Sequence, residues 1–312
     1  MQLLALKIDA DTLRGTKEGV PRLVEILKQY GAGATFLFSL GPDHTGRALK
    51  RVFRPGFLKK VSRTSVLEHY GLKTLLYGTL LPGPDIGRMA AKEMQDTAAA
   101  GFEVGIHCWD HIRWQDGVSK ANQEWTVSEM NQAKQRFQEV FGKQARTHGA
   151  AGWQMNAQAL RHLDDLKMDF ASDCRGSHPF LPVVKGELFT CPQFPTTLPT
   201  LDELIGVNDI TTDNVADHLL GLTRQKLNQS QVFTLHAELE GLKFLPQFEA
   251  LLKGWIHQGW KLVSLGELAE SVRDEQLPRH QFIQGSIAGR SGTLSLQGPE
   301  FPPKYSSSLL TF

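Results

Sequence analysis

The chain has 312 residues, 41% of them hydrophobic, and a formal net charge of +1. That length and composition support one large buried core, and the near-neutral charge gives no global argument for a nucleic-acid partner, so any electrostatic partner must be met by a local patch. No run of about 18 apolar residues occurs, so no transmembrane helix is expected.

Cys108, Cys174 and Cys191 are odd in number and form no C-x-x-C pair, which points to a reducing compartment. The opening Met1-Gln2-Leu3-Leu4-Ala5-Leu6-Lys7 lacks a basic n-region and reads as a core strand rather than a secretion signal, so a cytoplasmic protein is expected.

In chain order, residues 3–8 form an apolar strand before a loop, and Val20, Leu23, Val24 and Leu27 then recur at helical spacing until Gly31 stops the helix. This unit repeats. Residues 34–40 are rich in strand formers, residues 88–100 read as a helix closed by Gly101, and residues 102–106 as a strand leading into His107. Ser128 is expected to cap a helix whose Met130, Ala133, Phe137 and Phe141 form one stripe, with Gly142 beyond its end. Later strands are expected over 168–171, 188–194, 232–235 and 261–265, and helices over 156–166, 213–227 and 248–257. The alternation implies an α/β fold, a parallel sheet covered by helices, open or closed into a barrel, with ligands at the carboxyl ends of the strands. One domain over residues 1–275 is expected, carrying an insertion at 43–84. A Gly-, Ser- and Pro-rich tail over 285–312 reads as irregular.

Two short clusters carry the chemistry. Asp9-Ala10-Asp11 and His107-Cys108-Trp109-Asp110-His111 each leave an apolar run. A D-x-D at a strand end is by itself often a turn or a helix cap, and an H-x-x-x-H pair by itself is often only two partly exposed histidines. Together they offer the ligand set of a three-residue metal site with one carboxylate to spare as a base. His236 closes a later strand and reads either as a histidine bonded to a backbone carbonyl or as a general acid. Asp169, Asp173 and Arg146 lie at other element ends, where they could orient His236 or Asp9 or form ordinary salt bridges.

The order D-x-D, H-x-x-x-H, an Arg-bearing third block, an Asp-bearing fourth block and a strand ending Leu235-His236 resembles the polysaccharide deacetylase family, also called the NodB-homology or carbohydrate esterase 4 family, over residues 3–270. The resemblance implies a distorted (β/α)7 barrel. It also implies Asp11, His107 and His111 as ligands of one divalent transition metal, Asp9 as base and His236 as acid, with Arg146, Asp173 and Arg175 in support. Zn, Co, Mn, Ni and Fe all suit such a set. The chain departs from the family in having Cys108 where a Ser or Thr usually follows the first histidine, and no proline in residues 146–153.

The strings around Asp9–Thr16, His107–His111, Gly149–Trp153 and Ser172–Gly176 are similar to a branch of that family, bacterial deformylases acting on 4-deoxy-4-formamido-L-arabinose linked to undecaprenyl phosphate. That likeness implies a polyprenyl-phosphate-linked sugar substrate at the cytoplasmic face of the inner membrane, in lipid A modification and polymyxin resistance. Two other readings are a deacetylase of an N-acetylated sugar polymer and a non-catalytic carbohydrate-lipid binding protein. The insertion fits the membrane reading. Residues 47–63 carry Arg47, Lys50, Arg51, Arg54, Lys59, Lys60 and Arg63 without an acid, interleaved with Phe53, Phe57 and Leu58. A helix merely solvated by water would mix signs of charge, whereas each of these cations can contribute about 1 kcal/mol near anionic lipid.

Overall fold

The structure, a computed structural model, describes residues 2–48, 73–224, 229–290 and 292–301. Its centre is β1 (Leu3–Ala10), every residue of which after Leu3 is buried, as expected of a parallel strand covered on both faces. β2 (Thr35–Ser39), β3 (Glu103–Cys108), β4 (Thr147–His148) and β5 (Phe170–Ala171) follow outward from one edge of β1. β8 (Gln231–His236) pairs along the other edge, from Leu4↔Gln231 to Asp9↔His236. β9 (Lys261–Val263) pairs with Leu3–Ala5, whereas β2 takes Lys7–Ala10. All seven strands are parallel.

The gap between β5 and β8 is crossed by an irregular segment. Phe194 N donates to Ala171 O, Thr196 N to Cys174 O, and Thr197 N to Val232 O, at 2.7, 3.0 and 3.0 Å. The parallel strands thereby curve into a half-barrel, in keeping with the distorted barrel that the family resemblance implies. Of the strand expected over 188–194 only Leu188, at the end of β7 (Glu187–Leu188), is regular, because Gln193 bridges to both Ala171 and Phe180 instead of joining one ladder.

Two expectations are corrected. The long helix runs from Gln123 to Phe141 and is capped by Asn122, whose side chain accepts from Trp125 N at 2.9 Å, so Ser128 lies inside it. Gly142, at φ 67°, closes it in the left-handed conformation that glycine adopts without strain. The tail is also not uniformly irregular. β10 (Arg279–Gly285) and β11 (Leu294–Glu300) form an antiparallel hairpin, and β10 pairs in parallel with β6 (Leu181–Val184) to build a second, four-stranded sheet with β7. The hairpin finds its partner strand about a hundred positions upstream, which local composition does not report.

Residues 49–72 of the insertion lie outside the described residues. Its margins return to the end of β2, where Asp43 N donates to Pro84 O at 2.8 Å and Gly46 N to Tyr77 O at 3.0 Å.

Candidate active site

The carboxyl ends of β1, β3 and β8 meet at one patch. Asp9 is the penultimate residue of β1, Asp11 lies just beyond it, and His107 is the penultimate residue of β3. His111 opens the helix His111–Gly117, whose N-cap Asp110 accepts from Arg113 N at 3.1 Å. The His107 Nδ1–H donates to Gly149 O at 2.6 Å, which leaves the Nε2 lone pair directed at Asp11 Oδ1, 3.2 Å away. His111 Nε2 lies 3.3 Å from Asp11 Oδ2. One donor atom from each of the three residues falls within 4.8 Å of the other two, and Asp11 Oδ1 is buried without a hydrogen-bond partner. An oriented imidazole pair and an unsatisfied carboxylate oxygen are a donor set that fits a divalent ion.

The electrostatics agree. Burial alone would raise the Asp11 pKa, but the neighbouring imidazoles of His111, His107 and His236 outweigh it and hold the carboxyl well below its usual range. For His107, burial would lower the pKa, and the carboxylates of Asp9 and Asp11 raise it instead.

Asp9 is buried, with Oδ2 3.1 Å from Lys7 Nζ and Oδ1 3.7 Å from His107 Nδ1. His236 sits beside it in the β1–β8 register. Its backbone N donates to Glu240 Oε2 at 2.8 Å, and its Nδ1 is buried without a hydrogen-bond partner. Glu240 is fully buried, and burial, partly offset by the nearby His236, pushes its pKa up to about 7.

The segment after Asp11 is held from three sides. Glu238 Oε1 accepts from Asp11 N, Thr12 N and Thr12 Oγ1 at 2.9, 2.7 and 2.8 Å, and burial first, then Asp11, raises the Glu238 pKa well above the carboxylate range. Asp43 Oδ2 accepts from Leu13 N at 2.9 Å, and His44 Nδ1 lies 2.6 Å from Asp110 Oδ2. The root of the insertion thus buttresses both segments that carry the metal-ligand candidates. Third, the single π-turns Gly15–Gly19 and Leu239–Lys243 pack through glycines, where a Cβ on Gly241 would lie 2.7 Å from Gly19 Cα.

The remaining sequence candidates fall elsewhere. Arg146 precedes β4, at the opposite end of the sheet, ion-paired to Asp169 with 76% of its side chain exposed. It does not reach the site. A residue before so short a strand faces the amino end of the sheet, which the sequence alone does not reveal. Asp173 is buried behind the site, accepting from His148 Nδ1 at 2.6 Å, Ala150 N at 2.8 Å and Gln193 Nε2 at 3.0 Å. The Arg175 guanidinium is bound to both oxygens of Glu203, at 2.7 and 2.8 Å, and lies 5.1 Å from the centre of the Trp153 ring, while its backbone pairs with Ser295 and Gln297 of β11. Cys108 Sγ faces Ser39 Oγ at 3.2 Å within the core, and burial raises its thiol pKa, so it is no nucleophile. Arg47 donates to Gly78 O at 3.0 Å, and Lys50, Arg51, Arg54, Phe57, Lys59 and Lys60 lie outside the described residues.

Sequence reasoning missed Lys7, Glu238 and Glu240. For Lys7 there was a signal, because residues two apart on a strand share a face and this lysine stands alone in an apolar run.

Comparison with known proteins bears on the same patch. Residues 3–171 match the polysaccharide deacetylase family. A relative from Shewanella sediminis (strain HAW-EB3), named a probable 4-deoxy-4-formamido-L-arabinose-phosphoundecaprenol deformylase, ArnD, is 36% identical over 294 residues, covering 94% of each chain. One of the same name from Wigglesworthia glossinidia brevipalpis is 34% identical over 284 residues, covering 91% of this chain and 98% of that one. The fold is similar to the crystal structure of a putative polysaccharide deacetylase from Mycobacterium smegmatis, with a TM-score of 0.61 at 16% identity, over 92% of this chain and 96% of that one.

Proposed function

Because the chain belongs to the polysaccharide deacetylase family, we propose that it is a metal-dependent deformylase, converting undecaprenyl-phosphate-linked 4-deoxy-4-formamido-L-arabinose to the 4-amino sugar lipid and formate. The observation that carries this reading is the convergence of Asp11, His107 and His111, with Asp9 and His236 as register neighbours beside them. The relatives' name supplies which amide is cleaved.

Asp11, His107 and His111 would hold one divalent ion, which supplies Lewis acidity toward an amide carbonyl and toward water. Asp9 takes a proton from the attacking water. His236 delivers one to the sugar nitrogen as the C–N bond breaks, so the amine leaves neutral rather than as an amide anion. The formyl carbon departs as formate. Near-complete burial of Asp9 excludes bulk water from competing for its oxygens.

For substrate access we propose that residues 43–84 dock peripherally on the cytoplasmic face of the inner membrane. The acid-free cationic run and its interleaved aromatics support this, as does Leu80, 81% exposed at the margin of the insertion. Among the described residues no helix is long and apolar enough to cross a membrane.

Purified, metal-loaded protein incubated with the formamido-arabinosyl lipid should yield a product lighter by CO in the mass spectrum. Cleavage of the acetamido analogue in preference to the formamido lipid would refute the deformylase reading.

A further inference from the structure

Lys7 is completely buried in the middle of β1, on the same face as Asp9. An ammonium with no access to water requires a compensating partner, and the carboxylate on its Nζ is Asp9, at 3.1 Å. The surroundings are shaped to this side chain. Its Nζ stands 5.1 Å from the centre of the Trp153 ring, which Arg175 and Arg290 also approach, at 5.1 and 4.4 Å. Trp153 is held there at φ 54°, in the left-handed region that a bulky residue rarely enters. A Cβ on Gly149 would come within 2.3 Å of Leu37 Cδ1 and 2.9 Å of Lys7 Cε, so the glycine leaves room for both side chains. The same glycine offers its carbonyl to His107 Nδ1. Neither arginine named from the sequence stands in for Lys7, since Arg146 lies at the far end of the sheet and Arg175 is bound to Glu203.

The pairing also makes the two Asp9 oxygens unequal. Oδ2 is tied to the ammonium, while Oδ1 is buried without a hydrogen-bond partner and lies on the side of His107. We propose that Lys7 is the positioning residue for the base, and that by holding Oδ2 it presents Asp9 Oδ1 as the oxygen that accepts the proton from water. This assignment rests on the hydrolase reading above and adds the atom that acts and the residue that aims it.

The test uses the full chain loaded with metal. Lys7→Met keeps the length of the side chain and removes the charge. A misaimed base should lower kcat by about 100-fold while KM stays within about threefold. Metal content per chain should be unchanged, which a general collapse of the site would not allow. A melting cycle gives a reading independent of substrate. Lys7→Met strands a buried carboxylate and should lower Tm, and Lys7→Met/Asp9→Asn, which removes that stranded charge, should recover most of the loss. A kcat for Lys7→Met within threefold of wild type would overturn the proposal, as would a double variant melting below both single variants. If wild-type protein releases no formate, the deformylase reading fails, and the melting cycle still decides whether the Lys7–Asp9 pair is coupled.

Discussion

Replacing Gly19 by alanine sets two effects of opposite sign against each other. Gly19 has helical dihedrals, φ −79° and ψ −48°, so backbone propensity alone favours alanine by up to about 1 kcal/mol. Packing opposes it. The added Cβ would lie 2.0 Å from Ala237 O and 2.8 Å from Ala237 C, both backbone atoms with no rotamer of escape. Reaching ordinary contact requires a movement of more than about 1 Å, and overpacking of this kind costs about 1–3 kcal/mol. Packing should win, by a net of about 1–2 kcal/mol, or a Tm loss of roughly 1.5–3 °C for a chain of this size. The displaced carbonyl belongs to Ala237, the residue after His236, and the N–H of the same residue donates to Asp9 O at 2.9 Å, so the shift falls between base and acid. A misplacement near 1 Å costs about 100-fold in rate. Thermal unfolding and formate release on the metal-loaded variant read both effects, and a raised Tm with wild-type kcat would refute the packing argument.

Asp9→Asn should retain metal and lose turnover, because the amide has nearly the same shape but takes no proton; kinetics beside elemental analysis check this. Glu240→Gln tests a pH dependence. Because the folded pKa of about 7 lies above the ordinary glutamate value of 4.5, the folded state holds a proton that the unfolded state releases, so stability is full below about pH 4.5 and falls as pH rises toward 7. The span is about 3 kcal/mol at most, and denaturant unfolding at pH 5 and pH 8 should show a flatter profile in the Gln variant. Replacing Arg51, Arg54, Lys59 and Lys60 by Glu should release the protein from anionic liposomes and slow hydrolysis of the undecaprenyl substrate, while a short-chain soluble analogue is processed as before. Equal loss on both substrates would show instead that the insertion builds the cleft.

What could be read from the sequence follows from what is local. Asp9, Asp11, His107 and His236 each stand at the end of an apolar run, and in a parallel sheet covered by helices those ends gather on one side, so their convergence was legible. Arg146 sits at the start of a two-residue strand, and nothing nearby says which end of the sheet it faces. Glu238 and Glu240 act on residues more than two hundred positions away or on a neighbouring backbone N–H, through burial that composition does not encode. The hairpin of β10 and β11 was hidden for the same reason, its partner β6 being about a hundred residues upstream. Lys7 is legible through the two-residue alternation that puts it on the face of Asp9, although the apolar run around it masks the signal.

Amide hydrolysis by this chain should depend on one ion held by Asp11, His107 and His111. Metal should therefore be titrated into chelator-stripped protein while formate is counted from the formamido-arabinosyl lipid. Formate release should start near zero, climb and level off at one equivalent per chain, and stay near zero throughout in His107→Ala and His111→Ala. Undiminished formate release from stripped protein, or full metal-dependent activity in either histidine variant, would contradict the account.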